Sequence, residues 1–229
     1  MKKAEELRVL AGEIEACRKC ARLVAYREKV AREKRRAYRE WEYWGKPVPG
    51  FGDAKAELLI LGLAPGAHGA NRTGRMFTGD RSGDFLYKAL HKAGFANQAT
   101  SLHRDDGLRL KNAYITATIR CAPPGNKPLH GEIAHCRGYL KRELELLHPR
   151  AILALGGIAW NGYLDILKHL GKIASRAAFP FAHGAEAELP GDLPRLFGAY
   201  HPSQQNTQTG RLTPAMYARV LRQIRRYLR

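Results

Sequence analysis

The 229-residue chain has no uninterrupted run of about 18 apolar residues, so no segment reads as a membrane helix. Its start, Met1-Lys2-Lys3-Ala4-Glu5-Glu6, lacks the apolar segment of a secretory signal, so the expectation is a cytoplasmic protein with no membrane partner. Acidic residues are scarce: 21 Asp plus Glu stand against 39 Lys plus Arg, a formal charge of +18. That surplus exceeds what solubility needs and points to a polyanion, nucleic acid first, with a solvated basic face or a membrane-surface patch as alternatives. Two phosphate-binding signatures are also missing. No Gly-Lys-Ser/Thr closes a Walker loop, and the GxGxxG dinucleotide pattern is absent. Internal repeats and low-complexity tracts are lacking too.

What is present fits one domain over 1–229, with 45% apolar residues to fill a core. Residues 1–50 are an N-terminal helical segment, Arg/Lys/Glu-rich from Met1 to Tyr43 and broken at Cys17-Arg18-Lys19-Cys20, which passes into the body through the rigid connecting loop Gly45–Gly52. Four short apolar runs follow, at Glu57–Leu63, Asn112–Cys121, Arg150–Gly156 and Leu193–Tyr200, with the look of strands buried on both faces. Helical patterns alternate with them at Asp84–Ala93, Glu132–Leu147 and Gly157–Leu170, and an amphipathic stretch closes the chain from Pro214 to Arg229. Alternation of this kind predicts a three-layer α/β/α sandwich around a central, mainly parallel four-stranded sheet. Ligands of such folds sit beyond the carboxyl ends of the strands, so the segments after Leu63, Arg120 and Tyr200 are the places to search.

The only cysteines are Cys17, Cys20, Cys121 and Cys136. In a reducing compartment such a quartet reads as metal ligands rather than disulfides, for a structural zinc or a [4Fe–4S] cluster. Spacing does not decide between them, and buried free thiols are the plain alternative. A bound metal would clip the N-terminal helices to the body.

Between Gly62 and Asp80 the chain is too glycine-rich for regular structure, and such backbone can aim amides at a ligand's oxygens. Gly62-Leu63-Ala64-Pro65-Gly66, followed by Gly74-Arg75-Met76-Phe77-Thr78-Gly79-Asp80, resembles the first motif of the uracil-DNA glycosylase superfamily in its cluster-containing branches. His201-Pro202-Ser203, followed by Asn206, resembles the second motif, and Cys121-Ala122-Pro123-Pro124-Gly125-Asn126 is similar to those branches around a cluster ligand. The segment Cys17–Thr213 thus resembles family 5, the thermophile-type or type b enzymes. Where family 1 carries an Asp general base and family 4 a polar or acidic residue, this chain has Leu63-Ala64, and Ala117 stands where family 4 places an asparagine. The resemblance implies a [4Fe–4S] cluster on the four cysteines, base excision from DNA, and substrates extending from uracil to deaminated purines such as hypoxanthine and xanthine. High arginine content points weakly to a thermophile.

A glycosylase needs a donor near the departing base and a carboxylate near the sugar and water. His201 is the candidate donor, assisted by the backbone amides of Leu63 and Ala64, against a capping or core role. Asp80 is the candidate for activating water, and equally reads as the cap of the next helix. Phe77 is placed to stack on an extruded base and Asn126 to hold it, although the one also reads as core and the other as a turn residue. Ser203, Gln204, Gln205, Asn206 and Arg211 are expected along DNA, with Leu212 as a wedge in the minor groove. His68, Asn71 and Arg75 are expected to line the pocket or touch phosphate, and His135, His148 and His183 to be structural or on the surface. The expected partner is DNA carrying deaminated bases, bound by a monomer. Two rivals stand: a metal-stabilised nucleic-acid-binding module without catalysis, and a zinc-dependent hydrolase or deaminase, which four cysteine ligands would disfavour by closing the metal.

Overall fold

The computed structural model describes residues 2–229. Two helices, α1 (Lys2–Glu15) and α2 (Ala21–Glu33), flank the Cys17–Cys20 turn, and a single 3₁₀ turn at Arg36–Tyr38 follows. Four strands of five residues, buried throughout except at Arg195, carry the expected apolar runs: β2 (Leu58–Gly62), β3 (Ala113–Ala117), β4 (Ala151–Leu155) and β6 (Arg195–Ala199). They are parallel neighbours in the order β3-β2-β4-β6.

The sheet has six strands rather than the four expected. β1 (Phe51–Gly52) pairs antiparallel with β3 and β5 (Glu186–Ala187) antiparallel with β6, one at each edge. At two residues each, neither is long enough to print an alternation on the sequence.

Side chains alternate across the strands and build two cores. Leu58, Ile60, Ile115, Leu153 and Phe197 face α4 (Arg81–Lys92) and α8 (Pro214–Leu228). Leu59, Leu61, Tyr114, Ile152 and Leu196 face α5 (His130–Leu147) and α6 (Gly157–His169). Helices therefore cover both faces and the three-layer architecture holds. The final helix docks through Tyr217, Val220, Leu221 and Ile224 and turns Arg219, Arg222, Arg225 and Arg226 outward. None of the described helices is long and apolar enough to cross a membrane.

Connections leave β2 toward β3 on one side and then cross to β4 on the other. The strand order consequently reverses between β2 and β4, and the crevice beyond their carboxyl ends is where such a fold receives a ligand.

Candidate functional site

The ladder between β2 and β3 runs one step past the strands, the amides of Thr118 and Ile119 donating to the Gly62 and Leu63 carbonyls at 2.9 and 3.0 Å. Among the described residues no acceptor takes the N–H of Leu63 or Ala64, so both amides are free at the crevice. The chain then folds back on itself, Asn71 N–H reaching the Gly66 carbonyl at 3.0 Å, through the turn α3 (Ala70–Thr73) to Gly74 at φ 76°.

Arginines set the shape of this loop. Arg72 is buried, and its Nε and a terminal nitrogen donate to the His68 and Gly79 carbonyls at 2.8 and 2.7 Å. Its guanidinium lies 3.9 and 4.0 Å from the ring centres of Tyr38 and Trp41. Arg75 donates to Thr78, Ser101 and Asp106 and to the Arg104 carbonyl. Asn71 is wholly buried, its amide on the Arg27 and Ala67 carbonyls. The expectation that Asn71 and Arg75 line a pocket or touch phosphate is therefore corrected: their donors are consumed inside the protein. His68 meets the Tyr43 hydroxyl at 3.1 Å, and burial together with Arg35 and Arg72 lowers its pKa.

Asp80 does two things at once. One oxygen caps α4, accepting from the Gly83 amide at 2.9 Å, which is the capping role. The other faces the glycine loop: a Cβ on Gly69 would stand 2.0 Å from Oδ2, and one on Gly66 3.0 Å. Only glycine leaves that oxygen room. Burial raises the Asp80 carboxyl above the ordinary carboxylate value despite the opposing amides of Gly83 and Ser82.

Phe77 holds a left-handed backbone, φ 52°, unusual for an aromatic residue and a mark of a locally over-determined site. Its ring covers Gly62, where an added Cβ would approach within 2.9 Å, and its centre lies 5.8 Å from that of His201. His201 follows β6 and packs over Gly156, the residue after β4. Burial pushes its pKa down to about 4, so near neutral pH the imidazole is uncharged with one N–H to give.

In the second-motif segment Gln204–Gln208 form a short helix, α7, capped by the Ser203 hydroxyl. Asn206 donates from its side chain to the His201 carbonyl at 2.8 Å, fixing the backbone beneath the imidazole. Gln204, Gln205 and Arg211 are exposed, and Arg211 stacks 4.7 Å from the Tyr200 ring centre. Leu212 is not an exposed wedge. At 1% exposure it belongs to the core, with its N–H on the Asn206 carbonyl, and it anchors the segment because burial is the cheapest place for an apolar side chain in a polar loop. Asn126 is exposed in a left-handed turn, φ 57°, as its alternative role in a turn implies.

Cys121 and Cys136 pack with Leu23 and Ile119, and Cys20 lies against them. Cys17 sits in the turn between α1 and α2, within electrostatic reach of the other three. Burial pushes the Cys121 and Cys136 thiols up to about 12 and about 11. Arg27, only 2% exposed, donates to Cys121 Sγ at 3.3 Å while its Nε has no partner. His135, expected to be structural or on the surface, meets Cys20 Sγ at 3.3 Å. Among the described residues no three His, Cys, Asp or Glu side chains are gathered tightly enough for a single metal ion. His183 accepts from the Tyr200 amide at 3.1 Å, a structural role as expected.

Residues 49–225 match the family model described as the Uracil DNA glycosylase superfamily. The chain is 53% identical over 215 residues to a type-5 uracil-DNA glycosylase of Mycobacterium tuberculosis, covering 93% of this chain and 78% of the relative. To the type-5 enzyme of Thermus thermophilus it is 52% identical over 212 residues, covering 92% and 93%. A type-4 uracil-DNA glycosylase of Pyrobaculum aerophilum is 29% identical over 163 residues, covering 71% and 74%.

Proposed function

Because the chain belongs to the uracil-DNA glycosylase superfamily, we propose that it hydrolyses the N-glycosidic bond of uracil in DNA, the first step of base excision repair. The observation that carries the chemistry is Asp80: its uncapped oxygen faces the Gly66–Gly69 loop, on the same turn as a Phe77 ring whose centre lies 5.8 Å from that of His201.

The target nucleotide leaves the stack, and the bond from C1′ to the base breaks with its electron pair on the base. The free amides of Leu63 and Ala64 and the neutral His201 N–H hold that negative charge, and Phe77 offers a face for the extruded ring. Asp80 Oδ2 takes a proton from the water that attacks C1′. The general base thus acts on water rather than on the base's own edge, since nothing in Gly62–Gly66 can take a proton. That division of labour supports a wider range of leaving bases, hypoxanthine and xanthine among them. Ser203, Gln204, Asn206 and Arg211, in the segment that follows His201, are assigned to the DNA strand, drawn in by the +18 charge.

The cysteine lobe fits a thiolate-bound metal group. Arg27 is a buried cation paired at 3.7 Å with the partly exposed Glu28. It also points a nitrogen at Cys121 and leaves Nε unpartnered, so thiolates would add compensation that neutral thiols do not. The resemblance of Cys121–Asn126 to the cluster-containing branches favours a [4Fe–4S] cluster, one thiolate per iron, over zinc. When bound, the group ties α1 and α2 to β3 and α5. A monomer in the reducing cytoplasm completes the proposal.

A base-release panel on duplex and single-stranded DNA carrying uracil, hypoxanthine or xanthine tests it. Uracil release with abasic-site formation is expected. Tight DNA binding with no base released would overturn it in favour of a non-catalytic binding module.

A further inference from the structure

Between α4 and β3 the chain makes an excursion that regular elements do not explain. It rises from an antiparallel bridge between Ala96 and Leu110, with Asn97 N–H on the Arg109 carbonyl at 3.0 Å, and turns back near Ser101–Asp106. Its base lies at the amino end of β3, whereas its tip reaches the catalytic rim: the Gly79 amide, next to Asp80, donates to the Ser101 carbonyl at 2.9 Å. The Thr78 and Ser101 hydroxyls meet at 2.7 Å.

The tip is rigid. Asp106 accepts from the amides of Leu102, His103 and Leu108 and from Arg75. Burial works against the Asp106 carboxylate, yet these donors hold its pKa at about 2. Such an investment of buried polar groups presents Leu102, which is 60% exposed, more than any other large exposed apolar side chain among the described residues. Beside it His103 stands 5.9 Å from the Trp41 ring and Arg104 stacks 4.5 Å from the Trp44 ring.

We infer that Leu102 is a wedge into the DNA base stack beside the extruded nucleotide. The inference rests on the proposed base-flipping activity. An exposed leucine on a rigid tip, among cationic and aromatic side chains and at the rim of the reacting site, has the chemistry of an intercalating wedge. Leu212, buried in the core, cannot supply one without unfolding its segment. Transfer of a leucine side chain from water into an apolar stack is worth roughly ten- to a hundredfold in an equilibrium constant.

Leu102→Ala and Leu102→Phe separate the wedge from a structural role, because the exposed side chain holds no core contact. Two readouts are used: single-turnover uracil release from U·A duplex and from single strands, and fluorescence of 2-aminopurine placed beside a non-hydrolysable uracil analogue. Leu102→Ala is expected to slow duplex release about tenfold or more. Its single-strand rate should stay unchanged and its fluorescence rise should be lost, with Leu102→Phe restoring both. Equal rates on duplex for wild type and Leu102→Ala, equal losses on duplex and single strand, or an undiminished fluorescence rise would each overturn the assignment. The fluorescence arm needs no bond cleavage, so it judges Leu102 even if wild-type protein releases no base, which would instead sink the activity.

Discussion

Substitution of Asp80 by Asn and by Ala separates the two jobs of one carboxylate. Asn keeps a side-chain carbonyl for the Gly83 amide, so the cap of α4 survives, but it cannot take a proton. Ala loses both. Asp80→Asn is expected to lower single-turnover base release by about two to four orders of magnitude with DNA binding retained. Stability should move differently. Burial raises the folded pKa of Asp80 above its unfolded value, so its contribution to stability is fully present below the unfolded pKa and is lost as pH rises through the folded one. Above that folded pKa the ionised group burdens the fold, and there Asp80→Asn should melt no lower than wild type. Asp80→Ala should melt below Asp80→Asn by the cap, about 1 kcal/mol, or about 2–4 °C for a chain of this size. The rate carries the same signature: wild-type turnover should fall as pH drops through the raised Asp80 pKa, and residual Asp80→Asn turnover should not follow it. The assays are rapid-quench base release across pH and thermal melting of the three proteins. A near-wild-type rate for Asp80→Asn would refute the water-activating role and leave only the cap.

Gly69→Ala introduces a Cβ 2.0 Å from Asp80 Oδ2 and should cost about a hundredfold in single-turnover rate by displacing that oxygen, while a normal rate would show that Oδ2 is not the working atom. His201→Gln should slow base release by about 10²–10³-fold, and an unchanged rate on every base would remove His201 from the site. Since His201 titrates only near about 4, wild-type rates should show no ionisation of it around neutrality. Cys121→Ser should abolish iron content and visible absorbance and lower the melting temperature, and retention of iron would contradict the ligand assignment. DNA affinity should fall by about 10³ or more between 50 and 200 mM salt if six or more phosphates are neutralised, and a flat response would contradict the electrostatic argument.

The four central strands and the main helices were legible because each is a run of apolar residues with a period of its own, and the boundaries differ by a few residues. β1 and β5 left no such trace. At the site, the glycine loop and His201 stood out through their residue types, but sequence could not say whether Asp80 caps or reacts, since that depends on which oxygen faces which neighbour. Leu212 was misplaced because an apolar residue within a polar segment reads alike whether it points inward or outward. Arg75 and Asn71 looked like free polar groups for the same reason: their partners, Asp106 and Arg27, are 31 and 44 residues away. The excursion ending at Leu102 leaves no mark in the sequence, because its shape is imposed by one carboxylate and one guanidinium rather than by periodicity.

Arg72 joins the His68 and Gly79 carbonyls while Tyr38 and Trp41 hold its guanidinium, so the chain between those carbonyls is in effect a macrocycle closed by hydrogen bonds. The entropy of ordering that stretch is spent once, when the protein folds, and not again at each encounter with DNA. A binding cradle preorganised in this way leaves the energy of DNA contact free for the costly act of unstacking a nucleotide. It also makes the enzyme brittle: loosening the aromatic pair that steadies Arg72, well away from any reacting atom, would return the entropic debt to every turnover.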